Sequence, residues 1–212
     1  MQTLWELDQS LFRTIHQGWH QDWLDPVFWV ISSTGLGWVQ VVWILLLLPW
    51  RAAWNQAPAG PFRIFQMPLR VRREDWKSYV GPLLLSFLLA SILNTGILKN
   101  VIERDRPSNF VWSLPQEQIY HSSFPSGHTA TSFAIAMMLL FLTSGTHHRK
   151  FGWLALAWAC LVGFSRVYRG VHWPTDVLGG AMVGVASASL AILLLSGSGA
   201  AQESAPLTDA DR

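Results

Sequence analysis

Three clusters of polar residues in this chain contain the side chains that phosphoryl transfer needs. The clusters are Lys99–Pro107, Pro125–His128 and Ser165–Asp176. Cations and the N-termini of helices bind phosphate oxygens, and an imidazole can attack phosphorus or transfer a proton. The candidate residues are three cations, two imidazoles, a carboxylate and a helix start: Lys99, Arg106, Arg166, His128, His172, Asp176, Ser126 and Gly127. This set predicts phosphoryl-transfer chemistry.

The first cluster holds two of the cations. Lys99 and Arg106 are seven residues apart, or two helical turns, so both project from one face if the helix continues between them. Pro107 would then end the helix. Two cations on one face could clamp a phosphate, and arginine can do so with two parallel hydrogen bonds. Taken alone, both residues would be ordinary interfacial anchors of a membrane helix.

The second cluster, Pro125-Ser126-Gly127-His128, opens an apolar stretch. Ser126 is a typical N-cap residue, and Gly127 lets a ligand approach the backbone closely. The free N–H groups and the dipole of a helix that starts here would attract an anion. We therefore predict an anion site at this helix start, with His128 in its first turn.

The third cluster holds a histidine and a carboxylate at helical spacing. His172 and Asp176 are four residues apart, which is one turn of a helix, and Arg166 lies upstream. A carboxylate that binds one ring nitrogen fixes the tautomer and raises the basicity of the other nitrogen, which can then attack phosphorus. A lone histidine near a membrane interface is usually structural. A His–Asp pair beside two other phosphate-binding clusters indicates catalysis.

The elements that must position these clusters are membrane helices. The chain is 50% hydrophobic and 13% charged, and its 13 tryptophans are typical of membrane interfaces. Ser32–Gly37 interrupts the first apolar stretch, which could instead be a short surface helix followed by a span from Leu36. The sequence predicts an all-α integral-membrane helical bundle of about five to six transmembrane helices. The predicted spans are Val27–Leu48, Tyr79–Leu98, Gly127–Thr143, Phe151–Val167 and Pro174–Leu195.

The chain divides into three predicted segments. Residues 1–26 are predicted to be an amphipathic interfacial segment, with a helix in which five apolar residues recur at helical spacing: Leu4, Leu7, Leu11, Phe12 and Ile15. The alternative is that this helix packs on the bundle's own loops. Residues 27–195 form the membrane-embedded domain, with the motif core at 79–195. Residues 196–212 are rich in Gly, Ser, Ala and Asp, and we expect a disordered tail.

The distribution of Lys and Arg predicts the topology. The loops Arg51–Lys77 and Thr143–Phe151 are basic and are therefore expected in the cytoplasm. All three clusters then lie on the opposite, extracytoplasmic side, and the short basic loops fit a bacterial plasma membrane. His147 and His148 fall on the cytoplasmic side, where we expect them in solvent and not in a metal site.

The composition excludes some functions. The formal net charge is only +2, and the basic residues form no continuous stripe, which argues against nucleic-acid binding. The single cysteine, Cys160, allows no disulfide within one chain. The expected partners are the bilayer and a lipid substrate, while the sequence does not determine the oligomeric state.

Together the clusters resemble the signature motifs of the type 2 phosphatidic acid phosphatase family, which is related to vanadium haloperoxidases and glucose-6-phosphatase. Members of that family carry K-x6-R-P, P-S-G-H and S-R-x5-H-x3-D. Here the motifs correspond to Lys99/Arg106/Pro107, Pro125–His128 and Ser165/Arg166/His172/Asp176. All three are complete and in the family's order. The resemblance covers about residues 79–195, and residues 1–75 add only a compatible membrane layout.

The resemblance implies a phosphohistidine mechanism. His172 would be the nucleophile, oriented by Asp176, and His128 would protonate the leaving oxygen and could later activate water. The phosphoryl group would be bound by Lys99, Arg106, Ser126, Gly127 and Arg166. Because these cations stabilise the charge, we expect neither a metal nor another cofactor.

The resemblance leaves the substrate open. A membrane lipid phosphate is favoured: undecaprenyl pyrophosphate, phosphatidic acid or phosphatidylglycerol phosphate, with the small size and outward site favouring the first modestly. A soluble sugar phosphate is a weaker option. A lipid phosphotransferase would share the first half-reaction. A lipid transporter or scaffold could use the same pocket, although the predicted spans carry almost no ionisable side chains for a transport route.

Four neighbours of the motifs have open roles. Arg104 and Arg169 either bind a second phosphate or pair with lipid headgroups. His121 and Trp112 belong to the loop at residues 108–123, which could partly cover the site. We interpret His121 as a loop residue and not as a third catalytic histidine.

Overall fold

The chain forms a bundle of helices in this computed structural model, which describes residues 3–46, 77–117, 121–146 and 148–203. The α-helices are α1 (Leu4–Arg13), α2 (Asp25–Ser33), α3 (Gly37–Leu46), α4 (Lys77–Ser91), α5 (Lys99–Val101), α6 (Gly127–Leu142), α7 (Arg149–Tyr168) and α8 (Pro174–Glu203). Two π-helical turns (Thr14–Gly18 and Ile92–Leu98) and two 3₁₀ turns (Asp22–Leu24 and Pro107–Asn109) complete the helical elements. No strand occurs among the described residues, so the all-α prediction is confirmed.

Several helices are long and apolar enough to cross a membrane. They are Tyr79–Val101, Arg149–Tyr168 and Pro174–Ser196, and the pair Asp22–Ser33 and Gly37–Leu46 is a fourth candidate if it counts as one span. This pair is bent by 66° at the Ser32–Gly37 interruption, where the sequence predicted a break in the first apolar stretch. The described residues thus contain three or four candidate spans, against the five to six predicted for the whole chain. The prediction also counted α6, which has only 16 residues, fewer than the roughly 20 that a bilayer requires.

Helix α6 lies at the centre of the bundle and packs against α4, α7 and α8. Glycines in α8 allow the closest approach. A Cβ at Gly180 would lie 2.5 Å from the carbonyl oxygen of Ser126, and one at Gly184 would lie 2.4 Å from that of Ala130. The small residues of the last span therefore serve packing within the bundle.

Helix α1 packs on the loops that carry the motifs. A capping box starts it, with Glu6 N donating to Thr3 Oγ1 and Thr3 N donating to Glu6 Oε2. Phe12 is fully buried, and its ring centroid lies 5.1 Å from that of Trp173. Leu4, Leu7 and Leu11 of the same helix are exposed. The amphipathic helix is thus confirmed, and it is docked on the bundle's own loops, which was the alternative to a purely interfacial position.

The structure also bears on the predicted cytoplasmic loops and the predicted C-terminal tail. The predicted cytoplasmic loop at 51–76, together with His147, lies outside the described residues. His148, which we expected in solvent, is buried, and its ring stacks 6.0 Å from that of Phe151. Helix α8 continues to Glu203, past Ser196, where the tail was predicted to begin. Residues 204–212 are not among those described.

Candidate active site

The three sequence clusters meet at one end of the bundle, around a cavity of about 450 Å³. This end is opposite the loop that joins α6 to α7. Six of the eight predicted site residues line the cavity: Lys99, Arg106, Gly127, His128, Arg166 and His172. Ser126 and Asp176 lie behind this lining and are fully buried.

Lys99 and Arg106 reach the cavity from different kinds of backbone. Helix α5 ends at Val101, Ile102 is extended, and Arg106 is also extended at φ −80° and ψ 152°. The prediction that the two cations share one helix face is therefore wrong, and so is the prediction that Pro107 ends that helix. The α conformation is unfavourable for a residue before proline, which keeps Arg106 extended. Pro107 instead starts a 3₁₀ turn.

One carbonyl group brings the two cations together. Lys99 Nζ and Arg106 Nη2 each donate to the carbonyl oxygen of Ser122, both at 3.1 Å. Arg106 also donates from Nε to the carbonyl oxygen of His121 at 2.7 Å and from Nη1 to that of Val171 at 2.9 Å. Burial lowers the pKa of Arg106, while the negative charges of Asp176 and Glu117 oppose this shift. Backbone carbonyl groups of two separate segments, His121–Ser122 and Val171, therefore hold the guanidinium in place.

The start of α6, where the sequence predicted an anion site, lines the cavity. Ser126 is at the N-cap position, but its side chain does not cap the helix, and its Oγ instead accepts a hydrogen bond from Thr129 Oγ1 at 2.9 Å. The capping role that we predicted for the Ser126 side chain is wrong, because the hydroxyl of Thr129 binds it. The first N–H groups of any helix have no intrahelical partner. Here Gly127 and His128, in that first turn, line the cavity.

Asn94 supports this helix start from the π-helical turn of the neighbouring span. It is fully buried, its Nδ2 donates to the carbonyl oxygen of Pro125 at 3.3 Å, and a Cβ at Gly127 would lie 3.3 Å from its Oδ1. Single π-helical turns frequently occur at functional sites, because they re-aim the side chains that follow. The same turn also directs Thr95 and Lys99 to the cavity.

His172 and Asp176 form a pair, although not within one helix. Helix α8 begins at Pro174, so His172 precedes it and Asp176 lies in its first turn. The His172 Nδ1 atom is 3.4 Å from Asp176 Oδ2. The same oxygen accepts from Trp173 N at 2.9 Å and from the hydroxyl of Ser123. Helices often begin with an acidic side chain that accepts a hydrogen bond from the N–H of the N-cap residue, as Asp176 does from Trp173. The carboxylate of Asp176 therefore stabilises the start of α8 and also binds His172.

This arrangement keeps His172 neutral. Burial lowers the pKa of His172 to about 3, and the hydrogen bond that its ring donates to Asp176 opposes this only in part. Because a carboxylate only accepts, Nδ1 of His172 carries the proton and Nε2 holds the lone pair. Arg106 Nη1 lies 3.3 Å from that Nε2. Nε2 of His172, the nitrogen that holds the lone pair, therefore faces the cavity beside a cation.

A tight reversal of the chain places His172 beside Arg166. Helix α7 ends at Tyr168, and Gly170 follows in the left-handed region at φ +76°, where glycine is strongly favoured. The N–H groups of Val171 and His172 then both donate to the carbonyl oxygen of Arg166. The turn that ends α7 therefore explains why Arg166 and His172 are separated by five residues in the third motif and still lie side by side.

Arg166 lines the cavity but is paired with a carboxylate. Its Nη2 binds Glu117 Oε1 and its Nη1 donates to Ser32 Oγ. The other oxygen of Glu117 lies 3.2 Å from Arg169 Nη1. Glu117 therefore lies where these cations would attract a phosphate.

The neighbours with open roles have structural partners. Arg169 is buried and pairs with Glu117, and Arg104 pairs with Asp8 and Asp176. Neither arginine is among the residues that line the cavity. His121 lines the cavity, and its carbonyl oxygen accepts from Arg106. Trp112 packs against Phe12 at a centroid distance of 5.8 Å.

Several residues around the site were missed by the sequence reasoning. They are Asp8, His16, Ser32, Gly35, Asn94, Glu117, Ser122 and Ser123. Most lie in segments with no recognisable motif, and they contribute through contacts distant in sequence. Asp8 precedes the buried Phe12 by four residues and so shares its helix face, but this spacing does not reveal its partners.

One group within the described ranges could hold a metal ion. His20, Asp22 and Asp25 bring ligand atoms within 4.8 Å of one another. Asp22 is exposed, the other two are half-buried, and none of them lines the cavity.

Comparison with known proteins identifies similar sequences and folds. The model of the PAP2 superfamily matches residues 79–199, which is more than half of the chain. The undecaprenyl-diphosphatase of Sulfolobus acidocaldarius is 41% identical over 105 residues, 48% of each chain. The lipid A 4'-phosphatase of Porphyromonas gingivalis is 27% identical over 87% of this chain and 71% of that protein. The chain matches about a third to a half of the length of the first curated relatives.

Two solved structures share the fold. LpxE of Aquifex aeolicus superposes with a TM-score of 0.67 and 26% identity, covering 88% of this chain and 95% of that one. The phosphatidylglycerolphosphate phosphatase of Bacillus subtilis has the same TM-score and identity, over 98% and 90% of the two chains.

Proposed function

Because this chain belongs to the PAP2 superfamily, we propose that it is a metal-independent, integral-membrane lipid phosphatase. It hydrolyses a phosphomonoester or a pyrophosphate of a membrane lipid through a phosphohistidine intermediate. One observation carries the proposal. His172, paired through Nδ1 with Asp176, presents Nε2 to a cavity that is also lined by Lys99, Arg106 and Arg166.

The reaction has two displacement steps. In the first, His172 Nε2 bonds to phosphorus, the bond to the leaving oxygen breaks, and His128 gives that oxygen a proton. In the second, water attacks the phosphohistidine, His128 takes a proton from the water, and the N–P bond breaks to release phosphate. Asp176 keeps the proton on His172 Nδ1 throughout and stabilises the positive charge that develops on the ring.

The cavity stabilises the charge of the transferred group. Lys99, Arg106 and Arg166 would bind its oxygens, together with the first N–H groups of α6. The phosphate takes over Arg106 Nη1 from His172 Nε2, which frees the lone pair for attack. With three cations available, the step requires no further positive charge.

A second cavity supports a lipid substrate. It has a volume of about 330 Å³ and is mostly apolar, with Ile44, Leu83, Ile135 and Leu139 among its lining residues. It follows α6 from Ser132, one turn beyond His128. A hydrocarbon tail could occupy this cavity while the phosphate lies in the first one, as a membrane substrate would require.

The preferred substrate is an isoprenoid carrier pyrophosphate, undecaprenyl pyrophosphate. Undecaprenyl-diphosphatases of Sulfolobus acidocaldarius and Bacillus subtilis are among the relatives. Phosphatidic acid and phosphatidylglycerol phosphate are the alternatives, and a phosphatidylglycerophosphatase of Bacillus subtilis is 38% identical over 119 residues. We assign the site to the extracytoplasmic face of a bacterial plasma membrane, because the basic loops predict that orientation.

The test is phosphate release by the purified protein in detergent with EDTA, comparing undecaprenyl pyrophosphate with phosphatidic acid. We expect turnover that His172→Ala abolishes and that His20→Ala, a histidine outside the cavity, leaves intact. No release from either lipid, or full activity in His172→Ala, would contradict the proposal. Transfer of phosphate to an added alcohol without hydrolysis would instead indicate a phosphotransferase.

A further inference from the structure

We propose that Asp8 in α1 is a positioning residue for the His172–Asp176 pair, acting through Arg104 and the first turn of α8. This inference rests on the proposed phosphatase function and adds to it. No motif in the chain includes Asp8, and it lies 168 positions before Asp176 in the sequence.

Asp8 is a buried carboxylate with a full set of partners. Its side chain is only 1% exposed. Its Oδ1 accepts from Thr175 N at 2.9 Å, and its Oδ2 accepts from Thr175 Oγ1 at 2.6 Å and pairs with Arg104 Nη2. A charged group is retained at such a depth only when it is paired and hydrogen-bonded, as this one is.

Arg104 joins this carboxylate to the catalytic one. While Nη2 binds Asp8, Nη1 binds Asp176 Oδ1 and donates to Thr175 Oγ1 at 2.7 Å. Because the guanidinium is planar and rigid, it fixes the position of the Asp8 carboxylate relative to that of Asp176. Arg104 therefore occupies one oxygen of Asp176 and leaves Oδ2 for His172, Trp173 and Ser123.

The charges explain why the network needs Asp8. Two carboxylates share one guanidinium, so Asp176 keeps most of its negative charge for the Nδ1–H of His172. Without the charge of Asp8, Arg104 would act on Asp176 alone, and Asp176 would hold the ring less strongly. The N–H of Thr175, in the first turn of α8, would also lose a charged acceptor.

Other contacts hold α1 in place independently of Asp8. Phe12 packs on Trp173, and the π-helical turn after α1 supplies His16, whose Nδ1 donates to the carbonyl oxygen of Tyr168 at 2.7 Å. Its Nε2 accepts from Leu114 N at 3.3 Å. The charge of Asp8 can therefore be removed while the docking of the helix is retained.

The test compares Asp8→Asn with the wild type in the full-length protein, using the same lipid assay in detergent. We expect kcat to fall about 10–100-fold, the usual effect of losing a group that orients a catalytic one, while KM changes less than about twofold and Tm is nearly unchanged. Asp8→Glu, which keeps the charge, should recover part of the loss. Asp22→Asn, at an exposed position, should match the wild type.

Two further variants separate positioning from docking. Phe12→Leu loosens the packing of α1 but keeps Asp8, so it should lower Tm and leave kcat nearly unchanged. Asp8→Asn combined with Arg104→Gln should lose less activity than the product of the two single losses, because both variants break one network.

The outcomes distinguish this inference from the proposed function. If Asp8→Asn keeps kcat within twofold of the wild type, or if Phe12→Leu reproduces its loss of kcat, the inference fails and the phosphatase stands. If the wild type releases no phosphate from any of the lipids, the proposed function fails, and the inference fails with it.

Discussion

Two arginines line the same cavity but are held by different kinds of partner. Arg106 is hydrogen-bonded to the carbonyl oxygens of His121, Ser122 and Val171, which belong to the backbone. Arg166 is held by side chains, the hydroxyl of Ser32 and the carboxylate of Glu117. We call Arg106 and His172 the backbone-held wall of the cavity. Arg166, with Glu117 and Arg169 behind it, is the side-chain-held wall.

The difference suggests separate roles for the two walls. A side chain can change rotamer and give its place to a phosphate, whereas a backbone carbonyl within a packed loop cannot do so readily. The backbone-held wall therefore suits the reacting atoms, whose geometry must be fixed before the substrate binds. The side-chain-held wall suits binding, and we expect Glu117 to leave Arg166 when a substrate binds.

The largest expected effect comes from the backbone-held wall. Arg106→Lys keeps the charge but loses the planar fork that contacts three carbonyl groups and the phosphate. We expect kcat to fall about 100–1,000-fold, as when one transition-state donor is removed. Steady-state kinetics with the preferred lipid measure this. A variant within tenfold of the wild type would show that charge alone is sufficient at Arg106.

A smaller effect tests whether His128 belongs with the backbone-held wall. A Cβ at Gly35, in the bend between α2 and α3, would lie 2.9 Å from His128 Cδ2 and 2.8 Å from Val162 Cγ1. Gly35→Ala should displace the ring and lower kcat about 100-fold, since a shift of about 1 Å is that costly.

Gly37→Ala is the matched control for this substitution. Its Cβ would lie 3.4 Å from the Phe87 ring, which is ordinary van der Waals contact, so activity should be nearly unchanged. If the two alanine variants are equally active, His128 tolerates displacement and the bend has no part in placing it.

A substitution in the side-chain-held wall should change KM more than kcat. Glu117→Gln removes a negative charge that competes with the phosphate for Arg166, so KM should fall about 3–10-fold while kcat stays within twofold. Glu6→Gln, on the exposed side of α1, keeps its capping box and serves as the control. A rise in KM would mean that Glu117 assists binding and does not compete with it.

The smallest effect concerns protonation. Since burial lowers the pKa of His172 to about 3, its ring should remain neutral from pH 7 down to about pH 4 in the ligand-free protein and gain its proton only below that. Nitrogen-15 NMR of the histidine side chains, with His172→Ala to assign the signal, measures this titration. A midpoint near 6.5 would contradict the neutral nucleophile in the backbone-held wall.

The sequence predicted the site better than it predicted the path of the chain between the motifs. Residue types at fixed spacing identified six residues that line one cavity. The helical link between Lys99 and Arg106 was wrong, because a helix end six residues before Pro107 leaves no signal as strong as the proline. His172 and Asp176 formed their pair across a helix start and not within a turn.

The supporting residues could not be predicted, because their roles arise from tertiary contacts. Asp8 and Glu117 looked like the charged residues of a surface helix and a loop, and only packing brings them to Arg104 and Arg166. Gly35 marked a break in the first span, but its closeness to His128 depends on how α2 and α3 bend. Local spacing carries no information on such contacts.

The most direct measurement of the central claim is the capture of the covalent intermediate. The purified protein is mixed with ³²P-labelled lipid phosphate, quenched in alkali within the first turnover, digested and sequenced by mass spectrometry. The account predicts an acid-labile phosphate on His172, present in the wild type and absent in His172→Ala. Turnover without any label on the protein, or with the label on another residue, would contradict it.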